Sequence, residues 1–234
     1  MSGDSVDFLT KLSDSSIFIV EHLPELLKGA IVAIEITVLS ILLGMIIGIF
    51  VAFFRIYGGK KVNRLMYIYE WIFRGIPILV LLFIIYFGLP SIGLNMPPFI
   101  SVVLGLGLRS SAYQSQVFRG AMLSIGTEQM EAGISLGMSK IKTLFNVILP
   151  QAIRLSLPGF TNEFTIVLKD SPLAYAVGIA EILKNGRDII VMSFKPFEIY
   201  LACAIIYFIL FHIFYYMFQK ISDRFEVPGF ISNK

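Results

Sequence analysis

From about Gly29 to Phe54 the chain is almost wholly apolar. A helix rises about 1.5 Å per residue, so about 20 such residues cross a hydrocarbon core about 30 Å thick. Nothing else in the sequence narrows the fold as much. Similar runs recur, and the whole chain of 234 residues is 56% hydrophobic with only 15% charged side chains. Its mean hydropathy is +0.81, whereas charged residues approach about a quarter of an ordinary soluble domain. The chain reads as an all-α integral membrane protein with one helical domain. A single cysteine, Cys203, excludes a disulfide framework within the chain. The N-terminus is not expected to be a cleavable signal, because it lacks a basic start and carries Asp4, Asp7, Asp14, Glu21 and Glu25.

Five spans are predicted. The first is Gly29–Phe54, in which Gly44 and Gly48 allow close helix contact. The second, about Leu65 to Leu89, contains Arg74-Gly75-Ile76-Pro77 and should break or kink there. The third runs from about Phe99 to Leu123. The fourth, about Leu157 to Val177, holds Glu163, Lys169, Asp170 and Pro172. The fifth, about Phe197 to Phe218, contains His212, which like Cys203 reads as a packed residue rather than a ligand. The abundant Phe and Tyr read as lipid-facing bulk and interfacial anchors. This divides the chain into an extracytoplasmic segment 1–28, a transmembrane domain 29–218 and a cytoplasmic tail 219–234.

Five spans place the termini on opposite sides, and the basic residues say which. Arg55, Lys60, Lys61, Arg64, Arg119, Lys140, Lys142, Arg154, Lys220, Arg224 and Lys234 fall on one side; Lys11, Lys28, Lys184, Arg187 and Lys195 fall on the other. Cytoplasmic loops carry the excess, so the N-terminus is expected outside and the C-terminus inside. The net charge of +3 is therefore a matter of topology, and no nucleic-acid partner is expected.

The polar interruption before Pro150 then falls in the cytoplasm. Thr127 and Glu128 suit a helix start, by capping and by charge. Met130, Ile134, Met138, Ile141 and Phe145 recur at helical spacing, predicting one amphipathic helix over about 128–146 that ends before Pro150. Ala132, Gly133 and Gly137 would let a partner approach closely. On pattern alone, such a helix could equally rest on the membrane surface.

The spacing Glu131-Ala132-Gly133, three residues, Gly137, nine residues, Val147, one residue, Leu149-Pro150 resembles the EAA motif of permease subunits of ATP-binding cassette importers. That motif is Glu-Ala-Ala, three residues, Gly, nine residues, Ile, one residue, Leu-Pro, so Gly133 and Val147 are departures. Further segments resemble the polar amino-acid branch, the histidine/arginine/glutamine permeases. These are Tyr69 with Arg74-Gly75-Ile76-Pro77, Ser110-Ser111-Ala112-Tyr113 with Phe118-Arg119-Gly120, and Gln151-Ala152-Ile153-Arg154 with Leu157-Pro158, Asn162-Glu163-Phe164 and Leu168-Lys169-Asp170-Ser171. The resemblance implies the type I importer permease fold, with the cytoplasmic segment as a coupling helix fitting a groove on an ATPase. Glu131, Ala132, Gly133 and Gly137 are its coupling residues. It also implies a second permease subunit, with a homodimer favoured over a heterodimer, two ATP-binding cassette subunits that hold ATP and Mg, and an extracytoplasmic substrate-binding protein. That protein would deliver its load near Gly88–Pro98 and Glu181–Pro196. The chain itself carries no phosphate loop of the Gly-x-x-x-x-Gly-Lys-Ser/Thr kind, no cofactor or metal spacing and no nucleophile–base constellation. A permease without its own ATPase, in the inner membrane of a bacterium or archaeon, is the expectation.

Charges inside spans cost about 2.5–3.5 kcal/mol each on insertion scales and mark functional surfaces. Glu163 and Asp170, seven apart, share one helix face to within about 20°. One carboxylate can take the α-ammonium of an amino acid and the other a cationic side chain; the alternative is a structural ion-pair network with Arg109 and Lys169. The resemblance places acidic residues at the Glu163 and Asp170 positions in the substrate site of arginine-type permeases. Arg109, Ser110 and Ile76 are the further candidate substrate contacts. Arg109 stands where relatives carry Asn, Ile76 where they carry Thr, Leu81 where they carry Gln, and Gln116 where they carry Glu. Arg109 could hold a substrate carboxylate or neutralise Glu163. The expected cargo is polar amino acids, with arginine, lysine and histidine slightly ahead of glutamine and glutamate. Glu70 and Arg74, at i,i+4, are expected to pair locally. The alternative function is an ion-coupled secondary amino-acid transporter, which leaves the cytoplasmic helix without a purpose.

Overall fold

The computed structural model describes residues 2–225, with side chains from residue 14 onward. Lys234 and the rest of the predicted tail beyond 225 lie outside the described residues, as does the side chain of Lys11. Among the described residues the structure is helical throughout, without strands.

Helix α1, Ser2–Tyr57, is far longer than the apolar pattern predicted, because it does not begin at Gly29 but continues back through the polar segment and past Pro24. At 56 residues it is about 84 Å long, well beyond what one crossing needs. Among the described side chains, the stretch from Phe18 to Ala33 packs on protein. Leu26, Ala30 and Ala33 pack with Ile182, Ile189, Ile199 and Ile206 of the last two helices.

The expected break is present. Helix α2, Lys60–Gly75, stops at Ile76, whose backbone is extended, and α3, Ile78–Phe83, leaves at 103° to it. Pro77 dictates this, since its ring disfavours helical backbone at the preceding residue and it has no N–H to donate. Span two is thus a bent pair, continued by a π turn (Ile84–Gly88) and a 3₁₀ turn (Leu89–Ile92).

Helix α4, Pro98–Ser124, runs through the middle of the bundle. Helices α5, Glu128–Ser135, and α6, Lys140–Thr143, form an elbow after it. A π turn (Leu144–Ile148) leads without interruption into α7, Leu149–Asp170. A 3₁₀ stretch (Ser171–Val177), α8 (Ile182–Ser193) and α9 (Pro196–Arg224) complete the chain.

By length and composition α1 and α9 can cross a membrane alone, and α2–α3 can do so as one bent span. Helices α4 and α7 are long enough but carry Arg109 and Glu163, so they cross only with their polar faces covered. That is how they are placed: α4 packs against α1 on one side and α7 on the other. Small residues make the approach possible where the hydrophobic effect gives no drive between helices. A Cβ on Gly44 would lie 2.6 Å from the Gln114 side chain, and one on Gly48 3.1 Å from the Ser111 carbonyl. The close contact predicted at these two glycines is therefore made to α4.

Candidate functional site

The buried face of α4 is polar. Ser110, Ser111, Gln114 and Ser115 are all inaccessible, and each needs a partner because an unmade hydrogen bond in hydrocarbon costs several kcal/mol. Gln114 Nε2 donates to the Ile41 carbonyl at 3.2 Å and to Ser110 Oγ at 2.9 Å. The Tyr69 hydroxyl lies 2.5 Å from Ser111 Oγ. Ser115 donates to Glu70 at 2.9 Å, and Arg55 Nε donates to the other oxygen of Glu70 at 3.1 Å. Arg55 is held in turn by Asn63. This corrects the expected local Glu70–Arg74 pair. Glu70 is only 3% exposed and turns inward to Arg55, whereas Arg74 lies over the Tyr113 ring at 5.1 Å. Burial decides the matter, because a carboxylate enclosed between α1 and α4 needs a cation enclosed with it.

The four polar candidates of the predicted substrate site come together. Arg109 of α4 reaches across to Asp170 at the end of α7, with Nη1 to Oδ2 at 2.7 Å. Glu163 lies beside Ser110, within electrostatic range of Arg109 and Asp170. It is 4% exposed, and its Oε1 accepts no hydrogen bond. Both carboxylates belong to one continuous helix, about 10 Å apart along its axis. Lys169 leaves this group and sits over the Phe211 ring at 5.3 Å. Ile76 is placed elsewhere, at the C-cap of α2 on the bend. The arrangement offers one paired and one unpaired carboxylate, a guanidinium and a hydroxyl, which are complementary to an ammonium and a carboxylate in a small ligand.

The segment predicted as a single helix over 128–146 departs from that form. It breaks after Ser135, and Gly137 adopts a left-handed conformation at φ +79°. The chain restarts at Ser139, whose side chain caps α6 by accepting from the Lys142 N–H. Thr127 makes no side-chain cap, and Pro150 does not end the segment, since it sits in the first turn of α7 directly after the π turn. The elbow closes by side-chain contact. Gly133 is buried, and a Cβ there would fall 2.3 Å from Thr143 Cγ2, whereas a Cβ on Gly137 would meet nothing within 4 Å. Gly133 is thus required by the chain's own fold and Gly137 by its turn. The predicted apolar face is split by the turn. Leu136 and Ile141 project outward at 82% and 69% exposure, and Glu131 and Ala132 are exposed as well.

Polar helices wrapped by apolar ones, a charged cluster between two of them and an exposed elbow on the connection fit the class of membrane transport subunits. The chain belongs to the family described as binding-protein-dependent transport system inner membrane component, which matches residues 13–227. It is 35% identical over 207 residues to the glutamine transport system permease protein GlnP of Escherichia coli K12, covering 88% of this chain and 94% of that one. With the L-cystine transport system permease protein TcyB of Bacillus subtilis it shares 36% identity over 188 residues, 80% of each chain. A crystal structure of an amino acid ABC transporter with histidines superposes with a TM-score of 0.81 at 32% identity, over 89% of this chain and 97% of that one. The resemblance drawn from the motifs and the type I permease fold are both borne out. These likenesses give no support to the ion-coupled alternative.

Two features escaped the sequence reading. The Arg55–Glu70–Ser115 clamp joins three helices at separations of 15 and 45 residues, and no local pattern marks it. The packing of Gly133 on Thr143 follows from the turn at Gly137, which the glycine itself signalled.

Proposed function

We propose that this chain is the membrane-spanning subunit of an ATP-driven importer of polar amino acids, and that Glu163 is the anchor for the substrate ammonium. One observation carries the reading: Glu163 is buried in the bundle with an oxygen that has no partner among the described residues, while its neighbour Asp170 is already paired to Arg109. An ionised group left unpaired in a membrane protein is costly and is retained for a ligand. The paired state of Asp170 also bears on selectivity. It removes the second negative charge that a cationic side chain would need, so glutamine and similar neutral polar amino acids come ahead of arginine, lysine and histidine. This reverses the order suggested by the motif. The names of GlnP and TcyB, a glutamine and a cystine permease, agree with it.

Two copies pair about a two-fold axis to enclose the pathway. The α5–α6 elbow of each docks on an ATP-binding cassette subunit that holds ATP and Mg and performs the hydrolysis, with Glu131, Ala132 and Leu136 at the contact. An extracytoplasmic binding protein supplies the amino acid. The N-terminus faces outward and the C-terminus the cytoplasm of a bacterium, following the basic residues of the loops. Nucleotide shifts the assembly between inward- and outward-facing arrangements by binding one more tightly.

The test is competition for uptake in vesicles holding the complete importer. Glu163→Gln is expected to abolish uptake while assembly persists. Arg109→Asn, by freeing Asp170, is expected to shift preference toward arginine. An Arg109→Asn importer with unchanged ranking of glutamine and arginine removes the basis for the selectivity argument. Unimpaired transport by Glu163→Gln removes the anchor.

A further inference from the structure

A cavity of about 430 Å³ lies between the last turns of α2 and the cytoplasm-leading half of α4, with Arg55 of α1 at its edge. Its lining includes the guanidinium groups of Arg55, Arg74 and Arg119 and the carboxylate of Glu70. Arg55 and Glu70 are bound to each other at 3.1 Å and cancel. Arg74 and Arg119 have no ion-pair partner among the described residues. The cavity therefore presents two uncompensated positive charges and no free negative one. Guanidinium groups match carboxylates in geometry as well as in charge, and the volume is within the range of small-molecule sites.

One side chain, Tyr113, stands between the cavity and the candidate substrate site. Arg109 and Arg74 each lie 5.1 Å from the centre of the Tyr113 ring, and Tyr113 itself lines the cavity. Arg119 stands ten residues beyond Arg109 on α4, about 15 Å closer to the helix end that enters the α5–α6 elbow. Arg109, Arg74 and Arg119 thus mark a line from the substrate cluster toward the elbow.

We infer that this cavity is a second amino-acid site, on the release side of the pathway, in which Arg74 and Arg119 receive the carboxylate of the departing substrate. The inference rests on the proposed function for the identity of the ligand and the direction of transport; the anion preference of the cavity stands on its lining alone. A carboxylate handed from Arg109 past Tyr113 to Arg74 and Arg119 keeps a cation beside it along the line.

The sole tryptophan of the chain, Trp71, lines this cavity and reports on it. The experiment measures Trp71 fluorescence in the assembled importer in phosphatidylcholine nanodiscs, as the difference from a Trp71→Phe complex. The titrants are glutamine and its α-carboxamide, which lacks the carboxylate. A saturable response to glutamine alone is expected, retained in Glu163→Gln. Arg74→Gln and Arg119→Gln should each raise the apparent Kd about tenfold, the effect of one lost hydrogen bond to a charged group. No saturable response, or a response lost in Glu163→Gln, overturns the second site while leaving the first intact. A response that appears only when phosphatidylglycerol is added to the discs assigns the cavity to a lipid phosphate and also overturns it. If the importer transports no amino acid at all, the proposed function fails separately. Acetate then decides on the cavity: saturation sensitive to Arg74→Gln supports the carboxylate site, and its absence overturns it.

Discussion

Replacing Gly133 by alanine adds one methyl group at the tightest point of the α5–α6 elbow. The new Cβ would stand 2.3 Å from Thr143 Cγ2, 2.6 Å from Oγ1 and 3.0 Å from Cβ, whereas carbon atoms rest at about 3.5–4.0 Å. The overlap exceeds an ångström. Thr143 is poorly placed to turn away, because its hydroxyl donates to the Ser139 carbonyl at 3.1 Å and β-branched side chains in helices have few rotamers. Helices α5 and α6 must therefore separate, at a cost of about 1–3 kcal/mol for overpacking. The separation tilts Ala132 and Leu136 away from the face that would meet the ATPase. Thr143→Ala removes the two nearest atoms and leaves only the 3.0 Å contact. The expected order of ATP-dependent uptake is wild type, then Gly133→Ala with Thr143→Ala, then Gly133→Ala alone. The double mutant should recover about 1 kcal/mol or more of coupling in a mutant cycle, read from uptake and from copurification of the ATPase subunit. If Gly133→Ala alone transports normally, or if the double mutant is no better than the single, the elbow is not closed by this contact.

Further expectations concern the turn, the clamp and the α1–α4 seam. Gly137→Ala should destabilise the elbow by about 1–2 kcal/mol, because φ +79° is left-handed, and Gly137→Asn should be milder; equal ATPase copurification in all three proteins would contradict this. Arg55→Met strands the Glu70 carboxylate in the bundle and should cost about 3–5 kcal/mol, seen as lost monodisperse protein in detergent. Arg55→Met with Glu70→Met should recover much of it, and no recovery would show that the pair is not the source. Gly44→Leu drives a side chain into Gln114 and Ser110 and should prevent α1 from seating on α4, detectable as protease sensitivity of the purified chain; full resistance would refute that contact.

The legibility of this chain in its sequence follows the range of the forces involved. Gly75-Ile76-Pro77 announced the bend because the constraint is local to the proline, and Gly44 and Gly48 announced a close helix contact, though not that α4 is the partner, because only small residues permit it. Hydropathy marked the apolar span but not the longer helix that carries it, because it registers only what lipid can cover. The described residues from 14 to 28 are met by α8 and α9, through Phe18, Leu23 and Leu26 and the Ser15–Glu198 and Asn185–Glu25 hydrogen bonds, partners more than 150 residues away. The elbow was misread as one helix because the periodicity of Met130, Ile134, Met138, Ile141 and Phe145 survives in the sequence whether or not Gly137 takes a right-handed conformation. The charged candidates were found by their cost in a membrane, but their pairing was not. Nothing in the sequence says that Arg109 takes Asp170 rather than Glu163.

That pairing orders the rest of the charges. Among the described groups within the bundle, Glu70 is answered by Arg55 and Ser115, Asp170 by Arg109, and Lys169 by the face of Phe211. Of these carboxylates only Glu163 keeps a buried oxygen without a donor; the one other such buried oxygen among the described residues, Gln114 Oε1, carries no charge. A network built for stability would have closed this last position, since Arg109 is near enough to act on Glu163 electrostatically yet is committed to Asp170. On the proposed reading, an arriving ammonium would supply the missing positive charge at Glu163 and leave the Arg109–Asp170 pair in place. Its carboxylate then has one near cation, Arg109, whose bond to Asp170 it must loosen. The same competition explains how a substrate can be held and released. A carboxylate that wins Arg109 from Asp170 returns a negative charge to the cluster, so tight holding of the zwitterion is opposed by the group that gives the site its selectivity. An Asp170→Asn importer removes this opposition and should bind glutamine more tightly but release it more slowly, with a lower KM and a lower maximal uptake rate. If KM rises while the maximal rate falls, or if neither moves, Asp170 does not compete for Arg109.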